Sequence, residues 1–219
     1  MAERTKVETT AGAVSLALDG PEDSPTLVVL APGAGAGLDS DFMVAIADGL
    51  AARGLLVARF NFFYIEKGKR SPDRQQVLET TFSEVVNDLE PRRGGRRLVL
   101  GGKSLGGRIA SHVVAAGTQA DGLVFLGYPL HAPGRPDRVR DAHLREISTP
   151  MLFVEGTRDP FCPLSTLDEV RSRLTAATEV AIIEGGDHSF KVRASSGRTT
   201  RQAWAEVVDV TAAWLERLG

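Results

Sequence analysis

The sequence predicts an α/β fold, with a mostly parallel central sheet, helices on both faces and no large cap domain. Three observations carry this expectation. Short apolar runs alternate along the chain with segments of helical periodicity. Some of the runs, such as Leu27-Val28-Val29-Leu30, are apolar without interruption, as strands covered on both faces are. The longest irregular stretch, residues 128–147, is too short for a large lid.

Taken in order, residues 14–18 read as a short edge strand with Val14, Leu16 and Leu18 on one face. Residues 26–30 form a buried strand. Met43, Ile46 and Leu50 place a helix over residues 41–53. A strand over 55–60, a helix over 73–89 and a strand over 97–100 follow. A helix over 105–116 carries Ile109, Ala110, Val113 and Val114 on its apolar side. Residues 122–126 and 151–154 are strands, separated by the stretch holding Pro129, Pro133 and Pro136. A helix over 164–174 and a strand over 179–183 come next. The last helix, 201–218, lines up Trp204, Val207, Val208, Thr211, Trp214 and Leu215 on one face.

The 219 residues are read as a single domain, 1–219, large enough to bury a core without staples. A formal charge of -2 gives no reason to expect a nucleic-acid partner. The arginine clusters at Arg92, Arg93, Arg96 and Arg97, and around Arg135, Arg138 and Arg140, lack interleaved aromatics and read as solvated loops. Cys162 is the only cysteine, so no internal disulfide is possible and nothing marks an oxidising compartment. It reads as a buried apolar filler. The polar start and the lack of a membrane-length apolar run point to the cytoplasm, without a membrane partner. Protein partners and oligomeric state leave no trace.

The most informative segment is Val99-Leu100-Gly101-Gly102-Lys103-Ser104-Leu105-Gly106-Gly107. It runs from a strand into a helix through Gly-x-Ser-x-Gly. A serine on so tight a turn needs small neighbours at Gly102 and Gly106. The turn lifts the hydroxyl above the sheet, at a helix N-terminus that favours developing negative charge. Ser104 is therefore the candidate nucleophile. It needs a base, and Gly185-Gly186-Asp187-His188 follows the last strand and offers His188. The base needs a carboxylate to fix its tautomer, and Gly156-Thr157-Arg158-Asp159-Pro160 follows the preceding strand and offers Asp159. Asp187 is the rival acid. Adjacent side chains in an extended loop point apart, so it reads instead as a loop hydrogen-bonding residue.

A tetrahedral oxyanion needs two donors. The Leu105 N–H is one. The other is expected from the small-residue loop Pro32-Gly33-Ala34-Gly35-Ala36-Gly37, with Ala34 first and Gly35 as the alternative. Phe62, Tyr64, Tyr128, Phe161 and Phe190 fall near strand ends and are candidates for an apolar substrate wall or, equally, for core packing. Lys69 and Arg70 are candidates for meeting an anionic group, although a solvated loop is the simpler reading. His131 and His143 flank the irregular segment, within reach of a substrate, and read first as surface residues.

Two echoes fail on spacing. A phosphate-binding loop ending in Gly102-Lys103-Ser104 would need glycine at Arg97, and a dinucleotide fingerprint over Gly33–Gly37 would need one at Leu38 or Ser40. The histidines have no metal-ligand spacing with Cys162 or one another. Neither a cofactor nor a metal is expected.

The order Ser104, Asp159, His188, each just after a strand, resembles the α/β-hydrolase superfamily in its cap-less, dienelactone-hydrolase-like branch. The similarity runs from residue 26 to residue 214. Closer still, Arg59-Phe60-Asn61-Phe62, Gly127-Tyr128-Pro129-Leu130-His131 and Gly156-Thr157-Arg158-Asp159-Pro160-Phe161 resemble a small family of predicted hydrolases. That family includes bacterial proteins and a vertebrate testis-expressed relative, and shares its domain with a subunit of a histone acetyltransferase complex. The superfamily resemblance implies nucleophile, acid and base roles for Ser104, Asp159 and His188. It implies a carboxylesterase-like hydrolase that cleaves a small-molecule ester or thioester through an acyl-enzyme. The alternative is a binding module that keeps the fold without turnover. The chain carries Pro32-Gly33 where the commoner oxyanion motif has His-Gly.

Overall fold

The computed structural model describes residues 2–218. The strands are β1 (Glu3–Thr9), β2 (Gly12–Asp19), β3 (Thr26–Ala31), β4 (Leu56–Phe60), β5 (Arg97–Lys103), β6 (Gly122–Leu126), β7 (Met151–Gly156) and β8 (Thr178–Ile183). They form one sheet in the order β1-β2-β4-β3-β5-β6-β7-β8. From β4 to β8 every neighbouring pair is parallel, whereas β1 and β2 add an antiparallel hairpin on the β4 side.

The helices are α1 (Asp41–Ala51), α2 (Phe63–Glu66), α3 (Gln75–Arg93), α4 (Leu105–Ala115), α5 (Leu164–Arg171) and α6 (Thr200–Arg217). Uninterrupted apolar strands make sense here because both faces are covered. Alternate residues of β3 part to opposite sides. Leu27 and Val29 join Phe82 and Val85 of α3 and Ile109 and Val113 of α4. Val28 and Leu30 join Met43, Ile46 and Leu50 of α1 and Val207 and Trp214 of α6. A capping box starts α6: Thr199 accepts from the Gln202 N–H, and Gln202 Oε1 accepts from the Thr199 N–H at 2.7 Å.

Several expectations change. The strand read over residues 14–18 is longer and is not an edge, because β1 lies outside it. Only Val7 of β1 is buried while Glu3, Arg4, Lys6 and Glu8 are exposed, so this strand has little apolar signal. The helix read over 73–89 starts at Gln75 and continues through Pro91 to Arg93, ending at Gly94 in the left-handed conformation. Pro91 lies in the last turn of α3, where its missing N–H costs the helix one bond without ending it. The four-residue α2 was not anticipated. Between β6 and β7 the irregular stretch contains only the short 3-10 helix Ala142–Glu146. The carboxyl ends of the central strands therefore lie under loops and not under a cap.

Candidate active site

Ser104 sits between β5 and α4 with φ 50° and ψ -111°. A non-glycine residue in this region is strained, and such strain collects at functional turns. The turn is possible because Gly106 lets α4 press against the end of β3: a Cβ there would stand 2.1 Å from the Ala31 carbonyl oxygen. At Gly102 a Cβ would meet the same oxygen at 2.2 Å. The glycine spacing thus reflects close backbone approach, as the sequence suggested.

The loops after β7 and β8 bring the acid and the base to this turn. They are tied to each other: the Arg158 N–H donates to the Gly186 carbonyl at 2.9 Å and the Gly185 N–H to Thr157 Oγ1 at 2.8 Å. His188 Nε2 lies 2.8 Å from Ser104 Oγ, and His188 Nδ1 lies 2.7 Å from Asp159 Oδ2. With Nδ1–H donating to the carboxylate, Nε2 accepts the serine hydroxyl proton. Asp159 Oδ1 accepts from the Phe161 N–H at 2.8 Å, which fixes the carboxylate plane. The Asp159 side chain is 0% exposed and that of His188 22%, so the pair is dry on one side and open to the cleft on the other. Asp187 points away: its Oδ1 accepts from the Ser189 and Lys191 N–H groups and closes the loop that carries His188. Phe190 anchors that loop, buried at φ 56° and stacked on Phe42 at 5.6 Å.

Ser104 and His188 open into a cavity of about 560 Å³ lined also by Ala34, Leu105, His131 and Phe161. Among the described residues neither the Leu105 nor the Ala34 N–H has an acceptor. The Gly35 N–H is taken, donating to Tyr64 Oη at 3.1 Å, which removes it as the alternative donor. The loop is held from below as well: the Leu38 N–H donates to Asn61 Oδ1 at 2.7 Å and Arg59 Nη1 to the Leu38 carbonyl at 2.6 Å. Arg59 is itself buried against Asp19 at 2.8 Å.

The expected aromatic wall reduces to Phe161, whose ring meets His188 edge-on at 4.6 Å. Phe62, Tyr64, Tyr128 and Phe190 are buried in the core and do not line the cavity. A place near a strand end does not decide which way a ring turns, and these rings turn toward apolar neighbours. Phe62 packs edge-on against Phe60, and Tyr128 meets Phe153 and reaches Ser111 Oγ at 3.1 Å. Lys69 and Arg70 are exposed and lie away from the cavity lining. Cys162 is fully buried, and burial pushes its thiol up out of the reactive range. His131 is not a surface residue: it is buried at the cavity edge with Nδ1 3.0 Å from the Ala132 carbonyl, whereas His143 is half-buried and stacks on His112 of α4.

Other groups carry no site role in the sequence reading. Arg108, one turn beyond Ser104, lines the cavity with Arg140 and Lys191, and among the described residues none of the three is in an ion pair. Glu155, next to last in β7, is fully buried and accepts from the Tyr128 N–H at 2.6 Å; burial lifts its carboxyl well above the usual carboxylate range. Lys103, whose spacing echo fails, is buried beside Asp159 and His188. Among the described residues no cluster of three or more His, Cys, Asp or Glu is placed to hold a metal ion, and no helix is long and apolar enough to cross a membrane.

The sheet order, the strained serine turn and the three converging loops define an α/β-hydrolase. The chain matches the family described as an alpha/beta hydrolase domain over residues 24–216, and it belongs to that family. Its fold is similar to that of a dienelactone hydrolase from Anabaena variabilis, with a TM-score of 0.78, 17% identity and 99% and 97% of the two chains covered. It is also similar to Est1E from Butyrivibrio proteoclasticus bound to ferulic acid, with a TM-score of 0.79, 15% identity and 98% of each chain covered. XC6422 from Xanthomonas campestris, described as a serine hydrolase without a lid, aligns with a TM-score of 0.75 and 18% identity over 97% of this chain and 94% of its own. At such identities the likeness concerns the fold.

Proposed function

We propose that this chain is a carboxylesterase-like serine hydrolase cleaving small esters or thioesters through an acyl-enzyme. The observation that carries the reading is the unbroken chain of contacts from Ser104 Oγ through His188 to Asp159 at the rim of an open cavity. Ser104 Oγ attacks the acyl carbon while its proton passes to His188 Nε2. Asp159 holds the imidazole in the needed tautomer and stabilises the imidazolium. The carbonyl oxygen becomes an oxyanion held by the N–H groups of Leu105 and Ala34, each contributing about 3 kcal/mol in the transition state. As the C–O or C–S bond breaks, Nε2–H gives its proton to the leaving group. Water then attacks the acyl-enzyme, losing a proton to His188. Collapse returns that proton to Ser104 Oγ and releases the acid. No cofactor or metal enters this sequence.

The finer reading follows the sequence resemblance: one domain over residues 1–219, acting on a small molecule in the cytoplasm, near the family that includes the testis-expressed relative. Among the described residues the guanidiniums of Arg108 and Arg140 and the Lys191 amine line the cavity without a carboxylate ion pair, and Asp41 is the single acidic residue in the same lining. We take this to favour esters bearing a negative charge.

A fluorophosphonate probe tests the reading. The expected result is labelling of native protein at Ser104, none in Ser104→Ala, and a loss of kcat of about 10⁴-fold in Asp159→Asn. Well-folded protein that escapes the probe and hydrolyses no activated ester is instead a binding module that keeps the fold.

A further inference from the structure

The residue in front of the nucleophile is a lysine whose amine does not reach solvent. Lys103 ends β5 and is 8% exposed, and among the described residues its Nζ has no hydrogen-bond partner. An amine buried in this way is costly unless something in the site uses its charge. Its path through the interior is well defined. The stem passes Gly33, where a Cβ would lie 3.4 Å from Lys103 Cγ. The tip reaches Gly127, at φ +71°, where a Cβ would stand 2.9 Å from Nζ and 3.6 Å from Asp159 Oδ2. One glycine thus leaves room for both the amine and the carboxylate. The Oδ2 oxygen concerned is the one that accepts from His188 Nδ1 at 2.7 Å. The Phe190 ring closes the other side, its centroid 5.7 Å from Nζ.

The ionisable groups around the amine come from three elements. Glu155 belongs to β7, Asp159 to the loop after it, and Asp187 and His188 to the loop after β8. Glu155 adds little negative charge, because its burial favours the neutral acid. Asp187 spends its Oδ1 on loop N–H groups. Asp159 is left as the charge closest in sense to a buried counter-ion.

We propose that Lys103 is a positioning residue of the hydrolytic site, its buried ammonium holding the Asp159–His188 pair as carboxylate and neutral imidazole. The inference rests on the hydrolase reading above. A positive charge beside the pair favours ionised Asp159 and opposes the imidazolium. Burial presses the amine itself down to about 8, opposed first by Asp159, so it is charged at neutral pH.

The test is the pH profile of kcat/KM for an activated ester in native protein, Lys103→Met and Lys103→Gln. Without the ammonium the imidazole protonates more readily, so the acid limb moves to higher pH by about one unit in both variants. A uniform drop in rate with an unmoved limb assigns Lys103 a packing role and overturns the proposal. A second measurement needs no change at Lys103: the pH titration of its ¹³Cε-labelled side chain by NMR in native protein and in Asp159→Asn. Removing the neighbouring carboxylate lowers that midpoint by about one unit if the two charges interact as proposed. An unshifted midpoint contradicts it. Failure of the hydrolase reading looks different, since native protein then neither turns over esters nor takes the probe.

Discussion

His143 lies flat against His112, with ring centroids 3.7 Å apart and planes 11° from parallel. Its Nε2 is 2.8 Å from Ser111 Oγ and 3.2 Å from Tyr128 Oη, and Arg108 approaches His112 from the other side. Burial first, then His112 and Arg108, push His143 down to about 4 from the 6.5 of a solvated histidine. The native state therefore binds fewer protons than the unfolded chain in that interval. Stability is complete above about 6.5 and declines as pH falls toward 4. Urea midpoints measured from pH 7 to pH 4 are expected to fall more steeply for the native chain than for His143→Gln. Parallel curves would contradict this account.

Tyr64 holds the loop proposed to supply the second oxyanion donor and does not line the cavity. Its hydroxyl oxygen accepts the Gly35 N–H, which holds the peptide next to Ala34 in place. Tyr64→Phe keeps the ring in its packing and removes the acceptor. The expected stability loss is about 1 kcal/mol. The expected fall in kcat is roughly tenfold with KM nearly unchanged, because a displaced oxyanion donor weakens the transition state more than the ground state. Steady-state kinetics and a thermal melt on the same preparation separate the two effects.

Arg108 should discriminate between substrates by charge. In Arg108→Ala, KM for an ester bearing a carboxylate is expected to rise about tenfold, while that for a neutral ester of equal size stays within about twofold. Equal changes for both esters would mean that Arg108 serves the packing of α4 and not recognition.

The parts of this molecule that were readable in the sequence are those where burial imposes composition. β3 and β6 are covered on both faces and consist almost wholly of apolar residues. β6 is found at the bounds expected for it. β1 has a single buried side chain and is held by its backbone pairing with β2, which no periodicity reports. The candidate site follows the same logic. Ser104, Asp159 and His188 each occupy a loop directly after a strand, so topology alone brings them to one end of the sheet, and they meet. Side-chain direction is not readable in this way, which is why the sequence leaves Phe62, Tyr64, Tyr128 and Phe190 open between substrate wall and core, and they lie in the core. Lys103 and Glu155 were missed for a related reason. Each is a charged residue at the end of an apolar strand, and only the packing of three separate loops encloses it.

The hairpin that borders β4 has a further consequence for how the protein behaves in crowded solution. An open sheet rim offers unpaired backbone groups to any other extended chain. Here the outermost strand exposes Glu3, Arg4, Lys6 and Glu8, so a newcomer adding to that rim must bring its own side chains against charges of both signs. Arg92 and Asp39 pin two of those side chains from the body of the domain. The segment that contributes least to the hydrophobic core thus blunts this one edge of the sheet with charge.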